Sequence, residues 1–214
     1  MATKETPRPS ARERLLEAAS ELFYEEGVNT VGIDRVIERA GVAKASLYNT
    51  FGSKEELIRS YLDARHEARR ARIERDLARF KSPRAKLLGV FDLLGELVAE
   101  PRFRGCAFMR ASAEAKDGGL VQTAVERSRA WMRKLLVSLA REAGAAHPER
   151  LGQQLAVIYD GTTVSAQLEC DPHVAREAKA MAATLLDADL TTKGVGRPSG
   201  RRSGRAAKAR PTTA

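Results

Sequence analysis

Apolar residues recur every three or four positions along nearly the whole chain of 214 residues, which is the period of an amphipathic α-helix. No alternating apolar and polar run of the kind typical of a half-buried strand competes with this pattern. Glycine, proline and Ser-Pro pairs divide the periodic stretches. The sequence therefore predicts an all-α fold of about nine helices. Their approximate ranges are 11–26, 33–40, 44–50, 54–80, 83–100, 105–116, 120–143, 148–170 and 173–190.

Two of these helices, 33–40 and 44–50, are short and lie close together in the sequence. Only residues 41–43 separate them, and the first of the three is Gly41. Two short helices joined by a glycine-containing turn of this length are a helix-turn-helix signature. The first three helices therefore predict a small helix-turn-helix domain over residues 1–53.

A long helix is predicted to follow directly. Ser53 and Glu56 are spaced as a capping box, in which each side chain accepts a hydrogen bond from the backbone amide of the other residue. Arginine and glutamate dominate the middle of this helix, residues 65–79, which we expect to lie on the surface. The long helix therefore connects, over residues 54–82, the first domain to a larger helical domain over residues 83–190.

The charge of the chain is distributed unevenly. The formal net charge is +9, to which residues 1–60 contribute −1, residues 61–82 contribute +3, residues 83–190 contribute zero and residues 191–214 contribute +7. A basic surplus makes polyanions plausible partners. Residues 191–214 are rich in Gly, Ser, Arg, Lys and Pro, and this composition predicts a disordered basic tail. Because the rest of the chain is nearly neutral, DNA binding by it has to depend on particular residues.

The basic tail has two interpretations that stay open. Its Gly196-Arg197-Pro198 core is of the kind that can lie in an A·T-rich minor groove, where the negative potential is concentrated. The alternative is a solubilising or nonspecific tail. In either case, its cations would add a sequence-independent affinity for DNA that falls steeply with salt.

Residues 41–57 read Gly-Val-Ala-Lys-Ala-Ser-Leu-Tyr-Asn-Thr-Phe-Gly-Ser-Lys-Glu-Glu-Leu, and this segment resembles the TetR family of bacterial transcription regulators. About the first 60 residues share the likeness, whereas the remainder is similar only in length and helix pattern. The resemblance implies a homodimer whose recognition helices enter successive major grooves of a near-palindromic, double-stranded DNA operator. It also implies a C-terminal domain that binds a small-molecule effector, whose binding usually releases the DNA.

The third helix carries the side chains that such a protein would present to DNA. Leu47 and Phe51, four positions apart, are expected to face the core. The opposite side is left with mostly short polar groups, which allow close approach to base edges and phosphates. The resemblance implies phosphate contacts from Lys44 and Tyr48, and base or mixed contacts from Ser46, Asn49 and Thr50. Lys54 lies at the N-terminus of the next helix, where its charge and the free amides favour a phosphate.

The chain departs from the commoner family pattern at three places. Ala43 stands where many members have a serine that caps the recognition helix. Val31 and Gly32 stand where many have a threonine pair, so Thr30 is the candidate for that phosphate contact. The Asn49-Thr50 pair stands where a histidine and an aromatic residue are common. The operator sequence therefore cannot be taken from another member.

Residues 104–114 resemble the segment that opens the pocket-bordering helix in one branch of the family. If the pocket is apolar, a hydrophobic or amphipathic effector is favoured. An ordinary core is the alternative, since aromatic and methionine residues fill cores as readily as they line pockets. A redox role for Cys106 would need an exposed and readily ionised thiol. The candidate ligand contacts are Phe91, Leu94, Cys106, Phe108, Met109, Glu114, Trp131, Tyr159 and Gln167.

The last two predicted helices form the candidate dimer interface. Small residues in the range 152–166 would allow close helix approach, and two helices from each protomer would make a four-helix bundle. The candidate interface residues are Leu155, Ile158, Thr162, Ala178, Met181 and Leu185.

The sequence offers no catalytic constellation and no metal-ligand cluster. Its three histidines are isolated, and two cysteines are too few for a disulfide framework or a cysteine-rich zinc site. We therefore expect no enzyme activity, no cofactor and no metal. No apolar run approaches the roughly 20 residues that cross a bilayer, and no secretory signal is visible. The expected location is cytoplasmic, without a membrane partner.

The leading hypothesis is thus a homodimeric repressor that an effector releases from DNA. An architectural DNA-binding protein that relies on the basic tail and has no effector is the alternative, and it would show only a modest sequence preference. Activation of transcription also stays open, because the sign of regulation depends on where the operator lies. A small-molecule enzyme on a helical scaffold would require turnover of the bound ligand.

Overall fold

The computed structural model describes residues 9–115, 119–169 and 171–192. All regular secondary structure in these ranges is helical, which confirms the predicted all-α class. The nine helices in this part of the chain are α1 Ala11–Glu26, α2 Ile33–Ala40, α3 Lys44–Phe51, α4 Lys54–Leu77, α5 Pro83–Val98, α6 Ala107–Glu114, α7 Leu120–Glu142, α8 Pro148–Glu169 and α9 Val174–Thr192. The predicted basic tail lies, from residue 193 onwards, outside the described residues.

Helices α1, α2 and α3 form the helix-turn-helix unit. Gly41 ends α2 with a φ of 61° and a ψ of 44°, a left-handed conformation that glycine adopts without steric cost. The guanidinium of Arg14 on α1 donates to the carbonyl oxygens of Ala40 (3.2 Å) and Gly41 (3.0 Å). A cation at the end of α2 also complements the negative pole of the helix dipole. The tight turn between α2 and α3 is therefore held from α1.

The capping box occurs at a different helix from the predicted one. Ser10 caps α1, accepting from the amide of Glu13 at 3.2 Å, and Glu13 accepts from the amide of Ser10 at 2.7 Å. At α4, Ser53 accepts from the amide of Glu56 at 3.1 Å as predicted. The Glu56 carboxylate, however, pairs with Arg59 at 2.7 Å. The return bond predicted for Glu56 is therefore wrong, since a guanidinium one helical turn away takes its carboxylate.

Two apolar clusters make up the core, and α4 belongs to both. Leu57, Tyr61 and Leu62 in its first half pack with α1–α3, whereas Ile73 and Leu77 in its second half pack with α5, α7, α8 and α9. The N-terminal cluster also includes α6 residues and the start of α7. The helix-turn-helix unit is therefore packed against the larger domain through α4, α6 and α7.

The larger domain is a bundle in which α7 packs along α8 and α5 packs along α9. Phe91 of α5 meets Tyr159 of α8 edge to face, with ring centroids 6.4 Å apart. Over the ranges that the structure describes, no helix combines the length and the apolar character needed to cross a bilayer.

Candidate DNA-binding surface and ligand cavity

Helix α3 presents a polar face to solvent because two apolar side chains anchor its other side. Leu47 is fully buried and Phe51 is 8% exposed, as the spacing predicts. Lys44, Asn49 and Thr50 are exposed, and Tyr48 is 45% exposed. Ser46 is partly buried on the same helix. The predicted contacts of α3 are thus brought together on one accessible helix.

Two polar groups of this face, those of Thr50 and Lys44, have partners within the protein. The Thr50 hydroxyl donates to the carbonyl oxygen of Ser46 at 2.6 Å. The Lys44 ammonium lies 2.9 Å from the Asp34 carboxylate, and this hydrogen bond raises the pKa of Lys44. Ala43 offers α3 no side-chain cap. The first-turn amides of α3 are therefore not occupied by a capping side chain, which suits an incoming phosphate oxygen.

The remaining predicted DNA contacts lie outside α3. Thr30 is exposed in the turn before α2. Lys54 opens α4 but is only partly exposed, and burial lowers its pKa while the nearby Glu114 carboxylate opposes that change. Sequence reasoning did not select Arg12, which is exposed and has its guanidinium carbon 5.6 Å from the centre of the Phe51 ring. Arg12 therefore adds a cation beside the C-terminal end of α3.

A cavity of about 520 Å³ lies between α1, α4, α5, α8 and the segment that precedes α6. Such a volume falls within the range of small-molecule sites. Its wall includes Leu94, Cys106, Phe108 and Tyr159, four of the predicted ligand contacts. The rest of its apolar wall comes mainly from Ile73, Val90, Leu93, Leu97 and Phe103.

A second cavity, of about 710 Å³, lies beside the first one, between α6, α7 and α8. The two cavities have five wall residues in common, which are Arg69, Cys106, Phe108, Tyr159 and Asp160. The predicted contact Met109 lines this second cavity, and its wall is otherwise rich in polar and charged groups from α7. We therefore take the smaller, more apolar cavity as the candidate effector site.

Four predicted ligand contacts lie elsewhere. Phe91 is buried in the core beside Tyr159. Trp131 packs on the larger core and meets His66 edge to face at 5.7 Å. Glu114 accepts from the Asn29 amide at 2.7 Å, and Gln167 is an exposed residue of α8 beside Gly105. None of the four lines either cavity, because their side chains serve the core, the α1–α2 turn or the surface.

Sequence reasoning also missed part of the cavity wall. Tyr24 of α1 and the arginines Arg65, Arg69 and Arg72 of α4 line it. The expectation that residues 65–79 lie on the surface is therefore wrong for these arginines, which are only partly exposed. Their spacing could have indicated this position, because they follow Tyr61 and Leu62 at intervals of three to four residues and so lie on the core side of α4.

Direct hydrogen bonds connect the cavity wall to the helix-turn-helix unit. The Tyr24 hydroxyl donates to the carbonyl oxygen of Gly105 (3.2 Å) and accepts from the amide of Arg104 (2.9 Å). Arg110 of α6 donates to the carbonyl oxygen of Tyr24 at 2.5 Å. A movement of the segment before α6 would therefore be transmitted to the C-terminal end of α1.

Comparisons with known proteins bear on both halves of the chain. A family profile described as "Bacterial regulatory proteins, tetR family" matches residues 15–61. The crystal structure of a TetR-family transcriptional regulator from Streptomyces coelicolor is similar with a TM-score of 0.79 and 31% sequence identity, and the match covers 84% of this chain and 96% of that one. This protein belongs to the TetR family.

Other relatives of this TetR-family protein match over shorter stretches. A Pseudomonas putida protein named "Probable HTH-type transcriptional regulator ArpR" is 36% identical over 107 residues, which cover 49% of ArpR. The HTH-type transcriptional activator FasR of Mycolicibacterium smegmatis is 47% identical over 56 residues, which cover 26% of FasR. The chain thus spans half or less of the length of these curated relatives. Their names describe regulators of transcription, not enzymes.

The predicted dimer residues of this TetR-family protein fall into two groups. Met181 is 52% exposed, and Ile158 and Leu185 are partly exposed. Leu155, Thr162 and Ala178, in contrast, are at most 4% exposed within a single protomer. The structure does not support these three as interface residues, because side chains enclosed by their own chain have no surface left for a second copy.

Proposed function

We propose that this TetR-family protein is a homodimeric repressor that binds a near-palindromic operator and is released from it by a small-molecule effector. The observation that carries the proposal is a pair of hydrogen bonds at the Tyr24 hydroxyl, which donates to the carbonyl oxygen of Gly105 and accepts from the amide of Arg104. These bonds join the wall of a ligand-sized cavity to a helix of the DNA-binding unit. Effector binding and DNA binding therefore act on a shared element.

DNA recognition in this proposal depends on few residues. Among the described cations of the helix-turn-helix unit, Arg35 and Arg39 are paired with Glu26 and Glu21 of α1. Lys44 is held by an exposed aspartate, a pair that contributes little stability and can exchange for a phosphate. Asn49 and Thr50 would then read base edges, while Lys44, Tyr48, Thr30 and Lys54 would position the backbone.

Dimerisation is supported by an apolar stripe on α8. Val157 and Leu168 are 68% and 76% exposed, and they lie eleven residues apart, which is three helical turns. Gly161 and Val164 lie between them on the same side of the helix, and Met181 supplies an exposed apolar side chain on α9. A two-fold axis through this stripe would match a two-fold operator.

Release of the DNA would depend on the hydrogen bonds between Tyr24 and the segment before α6. An effector that displaces Phe103, Gly105 or Cys106 in the cavity wall would move the backbone to which the Tyr24 hydroxyl is bonded. Glu114, which accepts from the amide of Asn29, gives a second link from α6 to the turn before α2. In a dimer, such a shift would change the separation of the two recognition helices and weaken binding to an operator of fixed half-site spacing.

The first test is fluorescence anisotropy of the full chain on the DNA upstream of its own gene, with scrambled DNA of equal length as the reference. Replacing Asn49 by Ala should weaken operator binding by about tenfold to a hundredfold, since one good base contact contributes about 1–3 kcal/mol. Binding to scrambled DNA should change little. Ser138→Ala, on an exposed position of α7, is the matched control and should leave both affinities unchanged.

A salt series separates this proposal from the architectural alternative. A repressor should prefer the operator by orders of magnitude at moderate salt. Equal and salt-sensitive affinity for both DNAs would favour a nonspecific binder and contradict the proposal. A reporter gene placed behind the operator then measures the sign of regulation, which must be negative for a repressor.

A further inference from the structure

Helix α4 carries six arginines, and their pairing divides them into two groups. Arg59, Arg70, Arg72 and Arg75 each pair with a carboxylate, at distances between 2.5 and 2.8 Å. Arg65 and Arg69 have no carboxylate partner among the described residues, and both line the cavity of about 520 Å³. Three arginines of α4 thus face the candidate effector site. Arg72 is paired there with Glu100, whereas Arg65 and Arg69 have no counter-charge among the described residues.

Arg65 and Arg69 also have individual N–H groups that lack a hydrogen-bond acceptor among the described residues. The Nε atoms of Arg65 and Arg69 are both buried and have no hydrogen-bond acceptor within the described part of the chain. A buried donor on a charged group without an acceptor is costly, and such groups are normally paired. The other contacts of the two guanidiniums are with neutral groups. Arg65 lies 3.7 Å from the Tyr24 ring centre and 5.5 Å from that of Tyr61. Arg69 donates to the Ser128 hydroxyl at 2.7 Å and lies 5.0 Å from the Phe108 ring centre.

The carboxylates of the cavity wall do not neutralise these two charges. Glu100 pairs with Arg72 at 2.5 Å, and Asp160 pairs with Arg129 at 2.6 Å. His66, which follows Arg65, is 3% exposed, and burial together with the Arg69 charge lowers its pKa, so it is neutral at pH 7. The cavity therefore combines an apolar wall with two positive charges that the described residues leave uncompensated.

We propose that the effector is an amphipathic carboxylate, whose anionic head is bound by Arg65 and Arg69 and whose apolar body fills the space along α5. A guanidinium presents planar, forked donors that match the two oxygens of a carboxylate. Val90, Leu93, Leu94 and Leu97 supply one continuous apolar wall for the body of the ligand. The regulatory role of this ligand rests on the proposed function, but its binding is measurable without DNA.

The position of the head also explains how binding reaches α1. Arg65 is stacked on the ring of Tyr24, whose hydroxyl is bonded to the segment before α6. A carboxylate that draws the Arg65 guanidinium towards itself would change this stack and, through it, the position of Tyr24. The ligand head and the connection to the DNA-binding unit are therefore adjacent.

The test is isothermal titration calorimetry of the full chain with three ten-carbon probes below their micellar concentrations: decanoate, decanol and decyltrimethylammonium. Decanoate should bind at least about tenfold more tightly than decanol, and the cation should bind most weakly. Arg65→Gln and Arg69→Gln should each reduce the affinity for decanoate about tenfold and leave decanol unchanged. Arg70→Gln is the matched control, because it removes the same charge from the exposed side of α4, where Arg70 pairs with Glu74.

Each outcome decides the inference. The inference is overturned if decanoate and decanol bind with equal affinity, if the cation binds more tightly than decanoate, or if no probe binds. It is also overturned if R70Q loses as much affinity for decanoate as R65Q and R69Q do. If R65Q or R69Q fails to fold by circular dichroism, the lysine variants R65K and R69K keep the charge but lose the fork and should lose part of the decanoate affinity. If decanoate binds but does not release operator DNA, effector release is contradicted and the ligand class stands. If the protein binds decanoate but does not prefer operator over scrambled DNA, only the proposed function is contradicted.

Discussion

At the scale of single residues, the polar groups that the fold encloses are the informative ones. His66 is almost fully buried against Trp131, and its Nδ1 atom has no hydrogen-bond partner among the described residues. Burial is the largest cause of its lowered pKa, followed by the charge of Arg69. Glu67 opposes this change, and Arg127 and Arg70 add smaller effects in the same direction as burial. The folded protein therefore holds His66 as a neutral imidazole.

This state makes folding sensitive to mild acid. The unfolded chain takes up a proton at His66 below about pH 6.5, whereas the folded chain takes it up only at lower pH. The contribution of His66 to the free energy of unfolding should therefore be constant above that pH and should fall as the pH is lowered through it. His66→Gln should reduce this fall, measured by urea unfolding between pH 7 and pH 5. An unchanged pH dependence in H66Q, or the same reduction in the exposed control His173→Gln, would contradict the assignment.

At the scale of helices, α8 contains two glycines with different surroundings. A Cβ added at Gly152 would lie 2.9 Å from the backbone N and Cα atoms of Val137 on α7 and 2.5 Å from its Cγ2. A Cβ added at Gly161 would have no atom of the same chain within 4 Å. Gly152 therefore sets the close approach of α7 and α8 within one protomer, whereas Gly161 lies on the proposed dimer stripe.

The two glycines should respond in opposite ways to alanine. Gly152→Ala should lower the free energy of unfolding by about 1–3 kcal/mol, because backbone atoms of α7 have to move to make room. Gly161→Ala should raise the stability of a protomer by up to about 1 kcal/mol through helix propensity. Thermal unfolding at two protein concentrations tenfold apart separates this change from any effect on subunit association. Similar stability of G152A and the wild type would show that α7 and α8 do not pack this closely.

At the scale of the whole molecule, the exposed apolar side chains support the proposed interface with a second copy. Val157, Leu168 and Met181 account for three of the five large hydrophobic side chains that the described residues expose, and α8 and α9 carry all three. Tyr48, the fourth, lies on the recognition helix, and Leu120, the fifth, begins α7. Exposed apolar side chains grouped on one face are characteristic of an interaction surface.

A charge placed in this stripe should separate the subunits. Leu168→Lys should convert a dimer into a monomer in analytical ultracentrifugation and reduce operator affinity at least about tenfold, since each half-site would then be bound alone. Leu120→Lys introduces the same charge at the other exposed leucine, which is 37% exposed, and should leave assembly and DNA binding unchanged. A dimeric L168K with normal operator affinity would place the interface on another surface.

Much of the fold could be predicted because local patterns determine it. The period of apolar residues sets the bounds of α1 and α2, Gly41 supplies the left-handed turn, and Leu47 with Phe51 orients α3. Each of these features depends on residues within a few positions of each other. The family resemblance adds the role of the α3 face, because its residues are consecutive in the sequence.

Features that combine residues distant in the sequence could not be predicted from local patterns. Tyr24, Arg65 and Tyr159 come from three helices that only packing brings to one cavity, so no local pattern groups them. Arg72 of α4 pairs at 2.5 Å with Glu100, which lies outside that helix, so this ion pair depends on packing and not on the α4 sequence alone. Leu155 and Leu168 are both apolar residues of α8, and only the positions of the neighbouring helices bury the first and expose the second. Local patterns therefore suffice for the helices and the helix-turn-helix type of domain, whereas the cavity, its charge and the exposed apolar surface arise only when the helices pack.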